Sequence, residues 1–164
     1  MDSIHIRNAV EKDITSICEI YNESLIDGNI SFDEPPIDEN RYKKYLRINN
    51  NRSALIVAEC ESEILGWCSL DSISERFAYR FTCVGSTYVR QKYRGKKIGY
   101  LLKLNQFKIA KDLNYHSIIA EVLKYNINSI EFLINLDYRI VGEIQEAGFR
   151  NNKWIGLLIL QKYL

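Results

Sequence analysis

Residues 93–102, YRGKKIGYLL, set an arginine, two lysines and two glycines directly ahead of an apolar run with helical spacing. Consecutive backbone N–H groups at a turn entering a helix, backed by the positive end of the helix dipole, make a seat for an anion. Gly95 and Gly99 let the backbone approach a pyrophosphate without a Cβ in the way, and Arg94, Lys96 and Lys97 add charge-assisted contacts. A Walker A loop needs glycine, four residues and then Gly-Lys-Ser or Gly-Lys-Thr, and a dinucleotide fingerprint needs GxGxxG near the first strand. The stretch matches neither, so the anion is held in some other kind of fold.

Working outward, the apolar residues Leu101, Leu102, Leu104, Ile109 and Leu113 predict a helix over 98–113, and 117–122 reads as a compact strand. A longer β-rich run, 79–89, precedes the glycine stretch, giving the unit strand, glycine-rich turn, helix, strand. Upstream, 53–60 and 63–71 flank Glu61 and Ser62 as an antiparallel hairpin. The chain opens with a strand over 3–7 and a helix capped near Asp13, whose apolar face carries Ile14, Ile17, Cys18 and Tyr21. A loop over 22–38 with Gly28, Pro35 and Pro36 leads to a helix over 39–48. Downstream, Asn126 or Asn128 caps a helix ending at Leu136, followed by strands over 138–146 and 154–160. The order is β α α β β β α β α β β, with no internal repeat and no composition shift, so residues 1–164 are expected to form one domain.

At 164 residues the chain can bury a core without disulfide or metal support. A net charge of +1, with 26% charged and 46% hydrophobic residues, leaves no global field for nucleic acid or an anionic membrane. VRQKYRGKK is one basic run without the wider basic face of a nucleic-acid binder. MDSIHIRNAV lacks the regions of a signal peptide, and no run reaches the roughly 18 apolar residues of a bilayer span, so a cytoplasmic protein is expected. Cys18, Cys60, Cys68 and Cys83 show no CxxC spacing and read as reduced core thiols, with no metal expected.

TYVRQKYRGKKIGYLL, set between a strand and a helix, resembles the acetyl-coenzyme A motif of the GCN5-related N-acetyltransferases (GNAT). The family's loop runs Arg or Gln, two residues, Gly, one residue, Gly or Ala; here Arg94 and Gly99 match its ends and Lys97 occupies the first glycine position. IYN at 20–22, SFD at 31–33, GW at 66–67, ER and AYR within 75–80, Thr82, Ser86, YV at 88–89, Asn126 with Ser129, VG at 141–142 and Trp154 are similar to the phosphinothricin acetyltransferase-like branch. The resemblance covers nearly the whole chain. It implies an α/β (α+β) fold: one mixed, mostly antiparallel sheet of about seven strands flanked by about four helices. The sheet would be splayed between the strand before the glycine loop and the strand after its helix.

The activity implied is direct acetyl transfer from acetyl-CoA to the primary amine of a small amino-acid-like substrate, by a homodimer. By position, the backbone of Thr87, Tyr88 and Val89 would pair with the pantetheine arm, and the amides from Gly95 through Lys96, Lys97, Ile98 and Gly99 to Tyr100 would hold the pyrophosphate. Asn126 would stand near the cofactor's other arm, though a helix N-cap explains it equally. A neutral amine must be generated and the departing thiolate protonated. The branch's glutamate two residues before Ser86 is Val84 here, its histidine or tyrosine near the sulfur is Leu133, and its Gly-Phe is Asp137-Tyr138. Glu121 is the remaining carboxylate for proton transfer, and Tyr88 and Tyr138 offer hydroxyls. Arg76 and Arg80 are candidates to hold an acceptor carboxylate, with Phe32 and Trp67 as pocket walls. His5 and His116 sit at strand edges as solvated side chains. Val84 and Leu133 also leave open an acyl-CoA-binding protein of this fold with weak or lost transfer.

Overall fold

A computed structural model describes residues 4–26, 30–47 and 52–164. Ser3, Gly28 and Ile48, which the sequence reading assigned to the first strand, the long loop and the end of the second helix, lie outside the described residues. The elements are β1 (His5–Asn8), α1 (Ile14–Ile26), α2 (Asn40–Arg47), β2 (Ala54–Cys60), β3 (Glu63–Ser72), β4 (Thr82–Val89), α3 (Ile98–Asp112), β5 (Ser117–Leu123), α4 (Ile127–Ile134), β6 (Arg139–Arg150) and β7 (Lys153–Tyr163). Seven strands form one sheet in the order β1-β2-β3-β4-β5-β7-β6. Every neighbouring pair is antiparallel except β4 with β5, so the mixed, mostly antiparallel sheet expected from the resemblance is present.

Turn chemistry explains the hairpins. Glu61 and Ser62 both adopt positive φ, 48° and 67°, and Asn151 and Asn152 do the same at 51° and 58°. Paired positive φ values give the turn whose twist matches that of two antiparallel strands. Strand β6 extends beyond the expected end at Glu146, because that residue (φ 52°) sits in a bulge and the ladder resumes at Gly148 opposite Ile155. Strand β4 begins at Thr82 rather than 79: Phe77–Tyr79 instead form a short 3-10 turn, with the Tyr79 N–H donating to the Arg76 carbonyl at 2.9 Å.

The sheet is covered on both faces. On one, Ile17, Tyr21 and Leu25 of α1 and Tyr42 of α2 pack with Leu55, Val57 and Trp67. On the other, Ile98 and Leu102 of α3 pack with Ile56, Ala58 and Cys68. The buried stripe of α3 is Ile98, Leu102, Lys103, Gln106, Phe107 and Ala110, whereas Leu104, expected on that face, is 43% exposed. Cys18, Cys68 and Cys83 are buried, Cys60 is half-buried, and all four are free thiols. His5 and His116 are exposed. Among the described residues no helix is long and apolar enough to cross a membrane.

The feature that positions the site is a parting of the sheet. Strands β4 and β5 pair only at Thr82–Ser117, Cys83–Ile118 and Val84–Ile119. Beyond Val84, β4 stays on β3 as far as Val89 opposite Gly66, while β5 stays on β7 as far as Leu123 opposite Leu157. Among the described residues, the edge of β4 turned towards β5 is therefore left without a strand partner beyond Val84.

Candidate functional site

A cleft of about 1210 Å3 opens at this parting, and a smaller cavity of about 80 Å3 adjoins it deeper between β4 and β5. Thr87, Tyr88 and Val89 form the β4 wall of the cleft, Arg94, Gly95 and Lys97 its end, and Asn126, Ser129 and Phe132 of the α4 segment the facing wall. Ile98, Gly99 and Tyr100, in the first turn of α3, complete the loop side. Ile30, Thr87, Tyr88, Asn126, Ser129 and Phe132 line both cavities, which therefore adjoin along one wall.

The loop end is built for an anion. Gly95 has φ 77° and Lys97 φ 63°, so the chain turns twice through the left-handed region before α3 begins. Such turns, followed by the open N–H groups of a helix's first residues, gather amide donors around one point. Lys97, at the family's first glycine position, adopts this conformation at a cost of roughly 1 kcal/mol that glycine would avoid. A Cβ on Gly99 would stand 3.6 Å from Val89 Cγ2 and 3.7 Å from Phe132 Cζ, within the cleft itself. Arg94 lines the cleft while its Nε donates to the Val89 carbonyl at 3.3 Å. Lys96 departs from the expectation: its side chain is exposed, with Nζ 5.1 Å from the centre of the Tyr93 ring, and only its backbone belongs to the turn.

Asn126 caps a helix and also faces the cleft. Its Oδ1 accepts the Ser129 N–H at 3.2 Å as the N-cap of α4, and the residue stands on the cleft wall. Tyr88 lines both cavities, its ring 4.7 Å from Tyr21 and 4.8 Å from Trp67. Burial, with the neighbouring Tyr21, pushes its phenol well above the usual value, so Tyr88 can donate a proton in a hydrogen bond but cannot act as a base near neutrality. Glu121 reaches the smaller cavity from β5. Leu133 walls the same cavity with an apolar side chain and is 4% exposed. The Tyr138 hydroxyl is buried, finds no hydrogen-bond partner among the described residues and lines neither cavity.

The four acceptor-site candidates are not brought together. Trp67 is 2% exposed and lies in the core between Tyr42 and Tyr88, because its place on β3 points it beneath α1 and α2 rather than into the cleft. Phe32 packs on Gly148 of β6, where an added Cβ would meet its ring at 2.3 Å, and the Arg150 guanidinium holds the neighbouring Ser31 carbonyl at 2.9 Å. Arg80 lies against two rings, 3.9 Å from the centre of Phe77 and 4.3 Å from that of Phe81, and donates to the Phe77 carbonyl at 3.1 Å. Arg76 is exposed at the start of the same 3-10 turn. Both arginines precede Thr82, whereas the cleft is walled by the far end of β4, and neither lines a cavity.

Two side chains that the sequence reading passed over reach the parting instead. Lys103 is 2% exposed and lines the smaller cavity, its Nζ donating to Gln106 Oε1 at 2.9 Å. Gln106 is fully buried, and its Nε2 donates to the carbonyls of Ser69 at 2.6 Å and Ser86 at 3.2 Å, stapling α3 to β3 and β4. The signal was their position: 103 and 106 fall on the helical stripe of Leu102, Phe107 and Ala110. A second group stands beside Tyr88, where the Tyr21 hydroxyl donates to Asp33 at 2.5 Å and Arg41 pairs with the same carboxylate at 2.6 Å.

A mixed sheet parted at its one parallel pair, with a turn through the left-handed region leading into a helix at the parting, is an acyltransferase architecture. The chain belongs to the acetyltransferase (GNAT) domain family, whose profile matches residues 6–159. It is 27% identical over 161 residues to the L-methionine sulfoximine/L-methionine sulfone acetyltransferase of Pseudomonas aeruginosa, covering 97% of this chain and 94% of that one. To the phosphinothricin N-acetyltransferase of Alcaligenes faecalis it is 26% identical over 161 residues, 97% of this chain and 82% of the relative. Among solved structures, a GNAT superfamily phosphinothricin acetyltransferase from Sinorhizobium meliloti in complex with AcCoA superposes with a TM-score of 0.89 at 28% identity, over 98% of this chain and 88% of that chain.

Proposed function

We propose that this chain transfers an acetyl group from acetyl-CoA directly to the primary amine of a small amino-acid-like substrate of the phosphinothricin or methionine sulfoximine type. The observation that carries this reading is the cleft at the parting of β4 and β5, with the turn of Gly95 and Lys97 at one end and the smaller cavity at the other. Acetyl-CoA supplies an acyl group activated for attack by a neutral amine. The amides of the turn and the first residues of α3 hold its pyrophosphate, with Arg94 and Lys97 beside it. The open edge of β4 from Thr87 to Val89 takes the pantetheine arm as an added strand and offers donors towards the acyl oxygen. Asn126 faces the same arm. Glu121 receives the proton that the amine must lose, directly or through water.

The chain acts as one domain, in the cytoplasm, and its four free thiols suit that compartment. It pairs as a homodimer, for which the exposed apolar residues Ile140, Val141, Ile144 and Trp154 of β6 and β7 offer a surface. The test is thermal unfolding with and without acetyl-CoA, with ATP and NAD as controls, followed by thiol release with phosphinothricin and methionine sulfoximine. Acetyl-CoA at about 100 times its Kd should raise the midpoint by roughly 5 to 10 °C, and the amines should release thiol. A shift without thiol release would favour an acyl-CoA-binding protein that has lost transfer, and no shift would overturn the cofactor reading.

A further inference from the structure

Lys103 is a buried cation that the reading above leaves without work. Its ammonium carries three donors; one goes to Gln106, and among the described residues no carboxylate pairs with it. An isolated charge in such a place is costly, and apolar side chains would fill the same space more stably. The groups packed around it do not neutralise it. Cys68 of β3 and Cys83 of β4 face it as thiols that burial pushes up to about 12. The Tyr138 ring centre is 5.5 Å from Nζ, and burial likewise holds that phenol protonated. Glu121 of β5 lines the same cavity, as does Thr87 of β4, whose buried hydroxyl has no hydrogen-bond partner among the described residues.

The cavity is the inner end of the cleft. A chain laid along the open edge of β4, from the turn at Gly95 past Val89 and Thr87, ends where Gly85, Ser86, Lys103 and Leu133 close the space. Leu133 offers no proton there. We infer that the Lys103 ammonium is the acid that protonates the sulfur of coenzyme A as it departs, held in aim by Gln106. This rests on the acetyl-transfer reading. The amine lone pair forms the new C–N bond, and the C–S bond breaks with its electron pair passing to sulfur. One proton passes from Lys103 Nζ to that sulfur, and the surplus proton on nitrogen leaves to Glu121 or water. Lys103 is reprotonated from solvent once the thiol has gone, so acetyl-CoA and amine yield amide and thiol in balance. Burial lowers the Lys103 pKa to about 8, so the side chain is charged at neutral pH yet close in acidity to a thiol.

The experiment compares the parent with Lys103→Met, a change that keeps chain length and removes the proton. Turnover should fall about 100-fold with the KM for the amine unchanged, while the melting temperature holds or rises. The decisive reading is spectroscopic: titration of the thiol of bound coenzyme A by its ultraviolet thiolate absorbance. In the parent this thiol should titrate below free coenzyme A, and in Lys103→Met about 1 unit or more higher than in the parent. Unchanged titration and unchanged turnover in the variant would overturn the role and leave Lys103 a packing residue. Should the variant misfold, the parent decides alone, since a bound thiol titrating at or above the free value overturns the role. Failure to bind coenzyme A at all would instead overturn the acetyl-transfer reading, and the role of Lys103 with it.

Discussion

Arg7 holds two carboxylates at once, Asp13 at 2.6 Å and Glu59 at 2.6 Å, and so joins β1, β2 and the start of α1. Asp13 is 3% exposed, and burial works to raise its pKa, but the hydrogen bonds from Arg7 and from the Val10 N–H outweigh this and hold the carboxyl below its usual range. A group depressed in this way adds stability above its unfolded value, about 4, and the gain is lost as pH falls through the lower folded value. Arg7→Met should therefore destabilise the fold by about 3 kcal/mol at neutral pH, with the deficit shrinking as pH falls through the unfolded carboxyl's value, about 4, and below it; urea titrations at neutral and acid pH check both parts. At this scale the sequence was an uneven guide. That Arg94, Gly95, Gly99 and Asn126 line one cleft could be read from the loop and the resemblance, because the turn into α3 and the cap of α4 are local backbone features. Arg76 and Arg80 could not be placed, because their direction depends on a 3-10 turn that interrupts the β-rich run over 79–89. Lys103 was hidden by its own polarity, since a hydropathy pattern assigns a lysine to solvent.

Between elements, the contact that shapes the site is α3 against β4. A Cβ on Gly85 would stand 2.7 Å from Gln106 Nε2 and 2.8 Å from Ile118 Cδ1, so this glycine is required for space rather than for its backbone angles. Gln106 cannot swing aside freely, being tied to Ser69, Ser86 and Lys103. Gly85→Ala should cost about 2 kcal/mol, seen as a fall in melting temperature of roughly 4 to 8 °C. Strand and helix order was legible because period-2 and period-3.6 patterns are strong over these lengths. Strand ends were not: the bulge at Glu146 breaks the alternation without ending β6. The glycine that makes room for Gln106 lies in another element, so no window along α3 alone reveals the staple.

At the scale of the molecule, the resemblance carried the single mixed, mostly antiparallel sheet, which no local pattern contains, and the parting of β4 from β5 was expected from it; the strand order came only with the structure. Three residue pairs join β1–β4 to the group of β5, β7 and β6. Helices α1 and α2 cover β2 and β3 with a core of their own, while Leu70 of β3, Cys83 of β4 and Phe107 of α3 share a second core with Ile118 and Ala120 of β5, Leu133 of α4 and Leu160 of β7. Backbone pairing across the join is confined to this shared end, and regions of a fold that few ladder pairs connect can open with separate free energies. Amide hydrogen exchange on the free protein should show two levels of protection, one per half. A ligand spanning the cleft would stitch the halves together, so acetyl-CoA should draw the two levels towards one value, and equal protection before it is added would argue against this. With two levels seen, the seam proposed to admit acetyl-CoA would also be the line along which the free protein first opens.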